Sequence, residues 1–227
     1  MCPRPYNLGR RRLAADKTRL KILAAARNLL ASRAGMSGFS VDAVAQRAGV
    51  ARMTVYYQFG SRIGLLEALF DYLALRGGID QIASAFRQPD PLAALDAFID
   101  VLARFWGSQR LVFRRIHGLA ALDPDFQNVV QSRQERRRHG LQTILLRLLS
   151  ERSQPASPSV ENTVALLYAL TSFETFDNLA GPSRQLPDVA PVVQKLARAV
   201  LEIDLHQALG QCDRIPADKT GTGAKTR

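Results

Sequence analysis

Apolar residues recur along this chain at the three-to-four-residue step of helices and almost nowhere with the alternation of a strand, which predicts an all-α fold. Over residues 17–33, Ile22, Leu23, Ala26, Leu29 and Leu30 fall at helical spacing, predicting an amphipathic helix that ends toward Gly35. A second, shorter helix is marked by its punctuation. Ser40 is a good N-cap, Asp42 suits the first turn, Val41, Val44, Ala45 and Ala48 share a face, and Gly49 supplies the left-handed residue that stops it. Val50 can tuck under that turn, and a third helix begins near Ala51. Ser61 caps a fourth, running to about Arg76, where Gly77 and Gly78 interrupt the pattern before "IDQIASAF". Asp90 with Pro91 and Asp123 with Pro124 start two more, the latter running through "QNVVQSRQERRRHGLQTILLRLL". "SERSQPASPS" reads as a loop. Beyond it, helices are expected over residues 160–179, closed by Gly181 and Pro182, and 189–209, closed by Gly210. Residues 211–227 are polar and expected to be disordered.

Three short helices with a glycine turn between the last two match the helix-turn-helix arrangement, whose second member lies in the DNA major groove. The third helix carries side chains that suit this. With Val55 centred on its buried face, Phe59 lies nearly above it at i+4, while Met53, Tyr56 and Tyr57 project from the other side at about 100° per residue. Aromatic edges and a methionine can contact thymine methyls, tyrosine hydroxyls can bond phosphates or base edges, and Arg52 can reach a guanine. Tyr56 has an alternative, packing on a neighbouring helix.

Charge sharpens the picture. Residues 1–62 hold 12 Lys and Arg against 2 Asp and Glu, whereas residues 63–227 hold 19 against 18, so the +11 formal charge is concentrated in the first part. A small basic segment joined to a near-neutral larger one suits a polyanion-binding head on a body with other duties. The resulting organisation is a basic flexible arm (1–16), a helix-turn-helix domain (17–62), a helical body (63–210) and a tail (211–227). Cys2 and Cys212, the two cysteines, lie near the chain ends, which argues against a disulfide framework or cysteine metal site and suits a reducing cytoplasm. No secretory signal or membrane span is expected, because the most apolar stretch, "VALLYALTSF", is interrupted by Thr171, Ser172 and Glu174.

The run "FSVDAVAQRAGVARMTVYYQFGSRIGLLEALF" resembles the TetR family of bacterial transcriptional repressors, whose core reads "GVS..TLY.HF.SKE.LL" against "GVARMTVYYQFGSRIGLL" in this chain. The likeness spans residues 17–70, with Thr54, Tyr56, Phe59, Ser61, Leu65 and Leu66 in register. Departures are Ala51 for a capping Ser, Gln58 for His, Arg62 for Lys and Ile63 for an acid. The resemblance implies that Arg52, Met53 and Tyr57 read bases, that Thr54, Tyr56, Gln58 and Arg62 touch the DNA backbone, and that Ser40 starts a helix whose N-terminus holds a phosphate. Arg10, Arg11 and Arg12 are expected either to follow the DNA or to form a basic tail without specific contacts. It further implies a homodimer paired through the last two long helices, a palindromic operator and a small-molecule effector bound in the body, which makes residues 63–210 a ligand-binding and dimerisation domain.

Support within the body is thinner. Trp106, Phe113, His117, Tyr168 and Phe173 are candidate ligand contacts, together with Glu174, a carboxylate among apolar neighbours that needs either an internal donor such as His117 or a cationic ligand. The "RRRH" run, Arg136–His139, is expected to be a solvated helix face. For the dimer, Val189, Val192, Val193, Leu196, Val200 and Ile203 form a stripe, and Val164, Leu167 and Thr171 a matching face. No G-x-S-x-G elbow, phosphate loop or H-E-x-x-H occurs, so neither a catalytic site nor a metal or cofactor is expected. An architectural DNA-binding protein without an effector is the alternative to a ligand-responsive repressor, and a helical enzyme the more distant one.

Overall fold

A computed structural model describes residues 8–33, 35, 37–152 and 159–212, and among these it contains eleven α-helices, short 3-10 turns and no strand. The head comprises α1 (Leu8–Ala31), α2 (Val41–Ala48) and α3 (Arg52–Phe59), with α4 (Arg62–Arg76) leading into the body. The body continues through α5 (Ile82–Phe86), α6 (Pro91–Ser108), α7 (Arg110–Ala120), α8 (Pro124–Glu151), α9 (Ser159–Leu170), α10 (Phe173–Ala180) and α11 (Ala190–Cys212). In the head, α1 packs on α2, α3 and α4; in the body, α8 packs on α4, α6, α7 and α9, while α11 packs on α6 and α9. No described helix is long and apolar enough to cross a membrane.

The predicted caps form. Ser40 Oγ accepts from the Ala43 amide at 3.1 Å, Ser61 Oγ from Gly64 at 3.0 Å, Asp90 from Leu92 at 3.0 Å, and Asp123 from Asp125 at 3.0 Å. Gly64 allows the α3–α4 corner to close, since a Cβ there would lie 2.1 Å from the Phe59 carbonyl oxygen. The core is continuous from Ile22, Leu30 and Val55 in the head through Leu69 and Leu73 of α4 to Phe98, Phe113 and Phe126 in the body.

Several boundaries differ from expectation, each for a local reason. α1 starts at Leu8, so residues 8–16, Arg10–Arg12 included, lie on a helix and not in a flexible arm; residues 1–7 fall outside the described residues. The helix expected from Asp90 onward is divided at Gln109, whose φ of −145° and ψ of 43° leave helical space. The helix expected over 160–179 breaks at Thr171 and Ser172. Ser172 caps α10 by accepting from Thr175 at 3.2 Å, and the Thr171 carbonyl accepts from the buried Trp106 Nε1 at 3.3 Å. Gly210 does not end the last helix, which continues to Cys212. The central loop and the tail lie mostly at 153–158 and 213–227, outside the described residues.

The proposed pairing stripe also divides. Val189 and Val193 are fully buried, as are Leu167 and Thr171, with Val164 nearly so, so these residues serve the chain's own core. Val192, Leu196 and Ile203 of α11 and Leu166 of α9 remain exposed.

Candidate functional site

The α2–α3 corner is built by backbone chemistry. Gly49 takes φ 59° and ψ 44°, and its amide donates to Gln46 while the Val50 amide donates back to Ala45 at 3.0 Å, closing α2 with paired carbonyls. Val50 packs on the core below. α3 begins after Ala51 without a side-chain cap, and the Ala51 carbonyl accepts from the Thr54 amide at 2.9 Å in its first turn.

Val55 anchors α3 in the core at 1% exposure, while Met53 and Tyr57, four residues apart on one face, stand 72% and 87% exposed. Exposed apolar and aromatic side chains on the second helix of such a corner form a surface fit for base edges. Tyr56 is half-buried against the core, and its hydroxyl accepts from Arg52 at 3.3 Å. Arg52 also bonds Asp42 of α2 at 2.9 Å, so its guanidinium is held across the corner but stays exposed. Ser40 lies exposed at the start of α2, and Thr54 and Gln58 are half-buried. The Gln58 carbonyl accepts from Arg19 at 2.7 Å, and the same guanidinium lies 4.4 Å over the Phe59 ring.

Arg62 is held differently from the other predicted contacts. It forms a two-carboxylate pair with Asp123 and, at 2.8 Å, Asp125, and its guanidinium lies 5.5 Å over the Phe126 ring. The two acids belong to the cap and first turn of α8, where negative charge also suits the helix dipole. Hydrogen bonding to Arg62 holds the Asp123 carboxyl below its ordinary range, and the Arg62 guanidinium is raised chiefly by the same bond. Arg62 thus ties the head to the body and is not offered as a free cation for phosphate. Arg115 of α7 makes a second tie, donating to the carbonyls of Leu30 and Ser32 at the end of α1.

Within the body, a cavity of about 290 Å³ opens between α4, α5, α6, α7 and α8. Phe70, Ile82, Phe86, Phe98, Leu102 and Phe105 make its apolar wall. Of the predicted ligand contacts, Trp106 and His117 line it. Phe113 and Phe173 do not: they form an aromatic stack behind Trp106, with ring centroids 5.0 and 5.9 Å from it. Glu174 stands behind His117 and pairs with its Nδ1, the internal donor the sequence suggested. That hydrogen bond holds the Glu174 carboxyl down at about 2 against opposing desolvation. Tyr168 also lies outside the lining; its hydroxyl donates to Gln134 at 2.6 Å and its ring lies 4.3 Å beneath the Arg137 guanidinium.

The polar end of the cavity corrects the reading of the "RRRH" run. Arg133, Gln134, Arg136 and Arg137 of α8 all line it, and Arg137 is only 8% exposed. A signal existed in the sequence. Arg137 stands seven residues after Val130 and four before Leu141, in a stripe of buried α8 positions, so helical period puts it inside. Its place in a cationic run obscured that.

Residues 22–69 match the family model for bacterial regulatory proteins of the tetR family. The chain's sequence matches no curated protein. Its fold is similar to several solved structures. A putative transcriptional regulator from Pseudomonas aeruginosa PAO1 is 18% identical, with TM-score 0.66, covering 88% of this chain and 94% of that one. A TetR-like transcriptional regulator from Rhodococcus sp. RHA1 is 20% identical, with TM-score 0.61, covering 88% and 99%. The transcriptional regulator FadR from Bacillus subtilis, solved in complex with stearoyl-CoA, is 16% identical, with TM-score 0.61, covering 78% and 96%.

Proposed function

We propose that the chain is a member of the TetR family of bacterial transcriptional regulators, whose model its residues 22–69 match, and that it is a homodimeric repressor that binds a palindromic operator and releases it when a small molecule enters the body. The observation that carries the DNA-binding half is the outward display of Met53 and Tyr57 on an α3 anchored by Val55. In this reading Arg52, Met53 and Tyr57 read bases, Ser40, Thr54, Tyr56 and Gln58 contact the backbone, and Arg62 acts at the junction between head and body. The cavity favours a ligand-responsive protein over an architectural one, and the reading assigns the chain no catalysis.

Coupling has a physical route. α7 carries His117 in the cavity wall two residues from Arg115, which holds the end of α1. α8 carries Arg137 in the cavity and, at its start, the two carboxylates that hold Arg62. A ligand acts only through different affinities for the two head arrangements, and a coupling of about 1–3 kcal/mol suffices for a switch. Moving two heads away from one-turn spacing, roughly 34–36 Å, would lose base and phosphate contacts together. Selection of bound duplexes from a random pool, followed by footprinting on the DNA beside the gene, tests the reading. It predicts a two-fold symmetric site with half-sites about one turn apart; a consensus without symmetry, or the absence of sequence preference, refutes it.

A further inference from the structure

We infer that the effector cavity recognises a compact apolar monocarboxylate, its tail against the phenylalanine wall and its carboxylate on Arg137. This deepens the ligand-responsive reading and rests on it for the identity of the cavity. The starting point is an unresolved charge. Arg137 is 92% buried, and its Nε and Nη1 have no hydrogen-bond partner. An arginine keeps its charge even here, although burial pushes its guanidinium below the ordinary value. A buried charge without a partner is among the costliest arrangements in a fold, and its usual resolution is an ion of opposite sign.

The neighbouring groups do not supply that ion. Asp71 is bonded by Arg133 Nη2 at 2.7 Å, and Glu174, which acts on Arg137 through space, is bonded by His117. Tyr168 occupies the face of the guanidinium at 4.3 Å, which leaves the in-plane Nε and Nη1 groups for an anion. Arg133 adds a second buried Nε without a partner at the same end of the cavity. With Arg133 paired to Asp71 and Arg136 exposed to water, one uncompensated buried guanidinium calls for one negative charge, hence a carboxylate in preference to a phosphate dianion. Apart from Gln134, Arg136 and His117, the rest of the lining is aromatic and aliphatic, and the volume of about 290 Å³ sits at the small end of ligand sites, which run from about 300 to 1,000 Å³. A short aliphatic or aryl acid satisfies charge, polarity and size together.

Trp106 is the sole tryptophan and lines the cavity, so heavy-atom quenching of its fluorescence in the full-length protein reports occupancy. The probes are 8-bromooctanoate and 8-bromooctan-1-ol, which share a tail and differ in charge. The carboxylate should quench at concentrations about ten- to a hundredfold lower than the alcohol, the range expected for a charge-assisted hydrogen bond. R137M should abolish that preference while still binding the alcohol, and R137K should retain part of it. Equal quenching by both probes, a preference that survives in R137M, or no quenching across bromoalkanoates of about six to twelve carbons overturns the inference. The wild-type comparison decides even if R137M does not fold. Operator affinity measured in the same samples separates the two readings. Carboxylate binding through Arg137 without operator release leaves the anion site standing and refutes ligand-controlled release; release by the alcohol as effectively as by the carboxylate does the reverse.

Discussion

Replacing Arg62 by methionine and Asp123 by asparagine, singly and together, tests whether Arg62 joins head to body or contacts DNA. Methionine keeps an apolar stem over Phe126, and asparagine keeps the α8 cap, at which it equals aspartate. The cycle therefore isolates the charge pair. Its worth lies between two limits: exposed ion pairs contribute about 0.2–1 kcal/mol, and stripping one partner from a buried pair costs about 3–5 kcal/mol. The side chains of Arg62 and Asp123 are 33% and 25% exposed, and Asp125 remains to share the arginine after Asp123 is changed. A coupling energy of about 1–2 kcal/mol follows. Urea denaturation at fixed protein concentration and pH 7 measures it. The sign of its pH dependence is set by Asp123, whose folded carboxyl is held below its ordinary value of 3.8. Stability from the pair is fully present above that ordinary value and is lost as pH falls through the folded one, so the coupling should be flat near neutrality and fade in acid. Operator binding by Arg62→Met should keep its salt slope. A coupling below about 0.3 kcal/mol, together with a slope smaller by about 1.8, the signature of two lost phosphate contacts in a dimer that carries Arg62 twice, would refute the junction and return Arg62 to the DNA.

Tyr57→Ala should leave the melting temperature unchanged, because the side chain is 87% exposed, yet weaken operator binding by about 1–3 kcal/mol and relax sequence choice at particular base pairs in a binding-selection assay. Glu174→Gln should remove an acid-sensitive component of stability: the carboxylate's contribution is complete above its ordinary value of 4.5 and lost as pH falls toward about 2, so the wild-type and mutant melting curves should converge over that window. Leu196→Asp should give a folded, helical monomer by sedimentation, with operator binding reduced to a weak, salt-sensitive remnant, since Leu196 is 40% exposed and its loss opens no cavity; a mutant that stays dimeric would place the interface elsewhere. Phe113→Ala should cost about 3–5 kcal/mol by denaturation, the price of a cavity inside the Phe105–Trp106–Phe173 stack.

What could be read from the sequence was local. Ser40, Gly49, Ser61, Asp90 with Pro91 and Asp123 with Pro124 each act within a turn or two, so the residue types alone determined where α2, α4, α6 and α8 begin and where α2 stops. The outward face of α3 follows in the same way, from the angle between Val55 and the Met53–Tyr57 pair. For Glu174 the sequence narrowed the partner to an internal donor such as His117 or a cationic ligand, and the structure supplies His117.

Tertiary packing decided the rest, because those outcomes depend on residues far apart in the chain. Arg62 meets carboxylates 61 and 63 positions away, and no local pattern distinguishes a guanidinium awaiting phosphate from one held by another helix. The valine stripe was visible, but only the close packing of α6 and α9 against α11, and of α6 and α10 against the 3-10 turn that holds Val189, separates the buried Val189 and Val193 from the exposed Val192 and Leu196. Arg137 shows the limit most clearly. Its spacing placed it on the inner face of α8 and its chemistry placed it in water, and the conflict is settled only where α4, α6, α7 and α9 pack on α8 and leave the guanidinium over the Tyr168 ring beside a cavity.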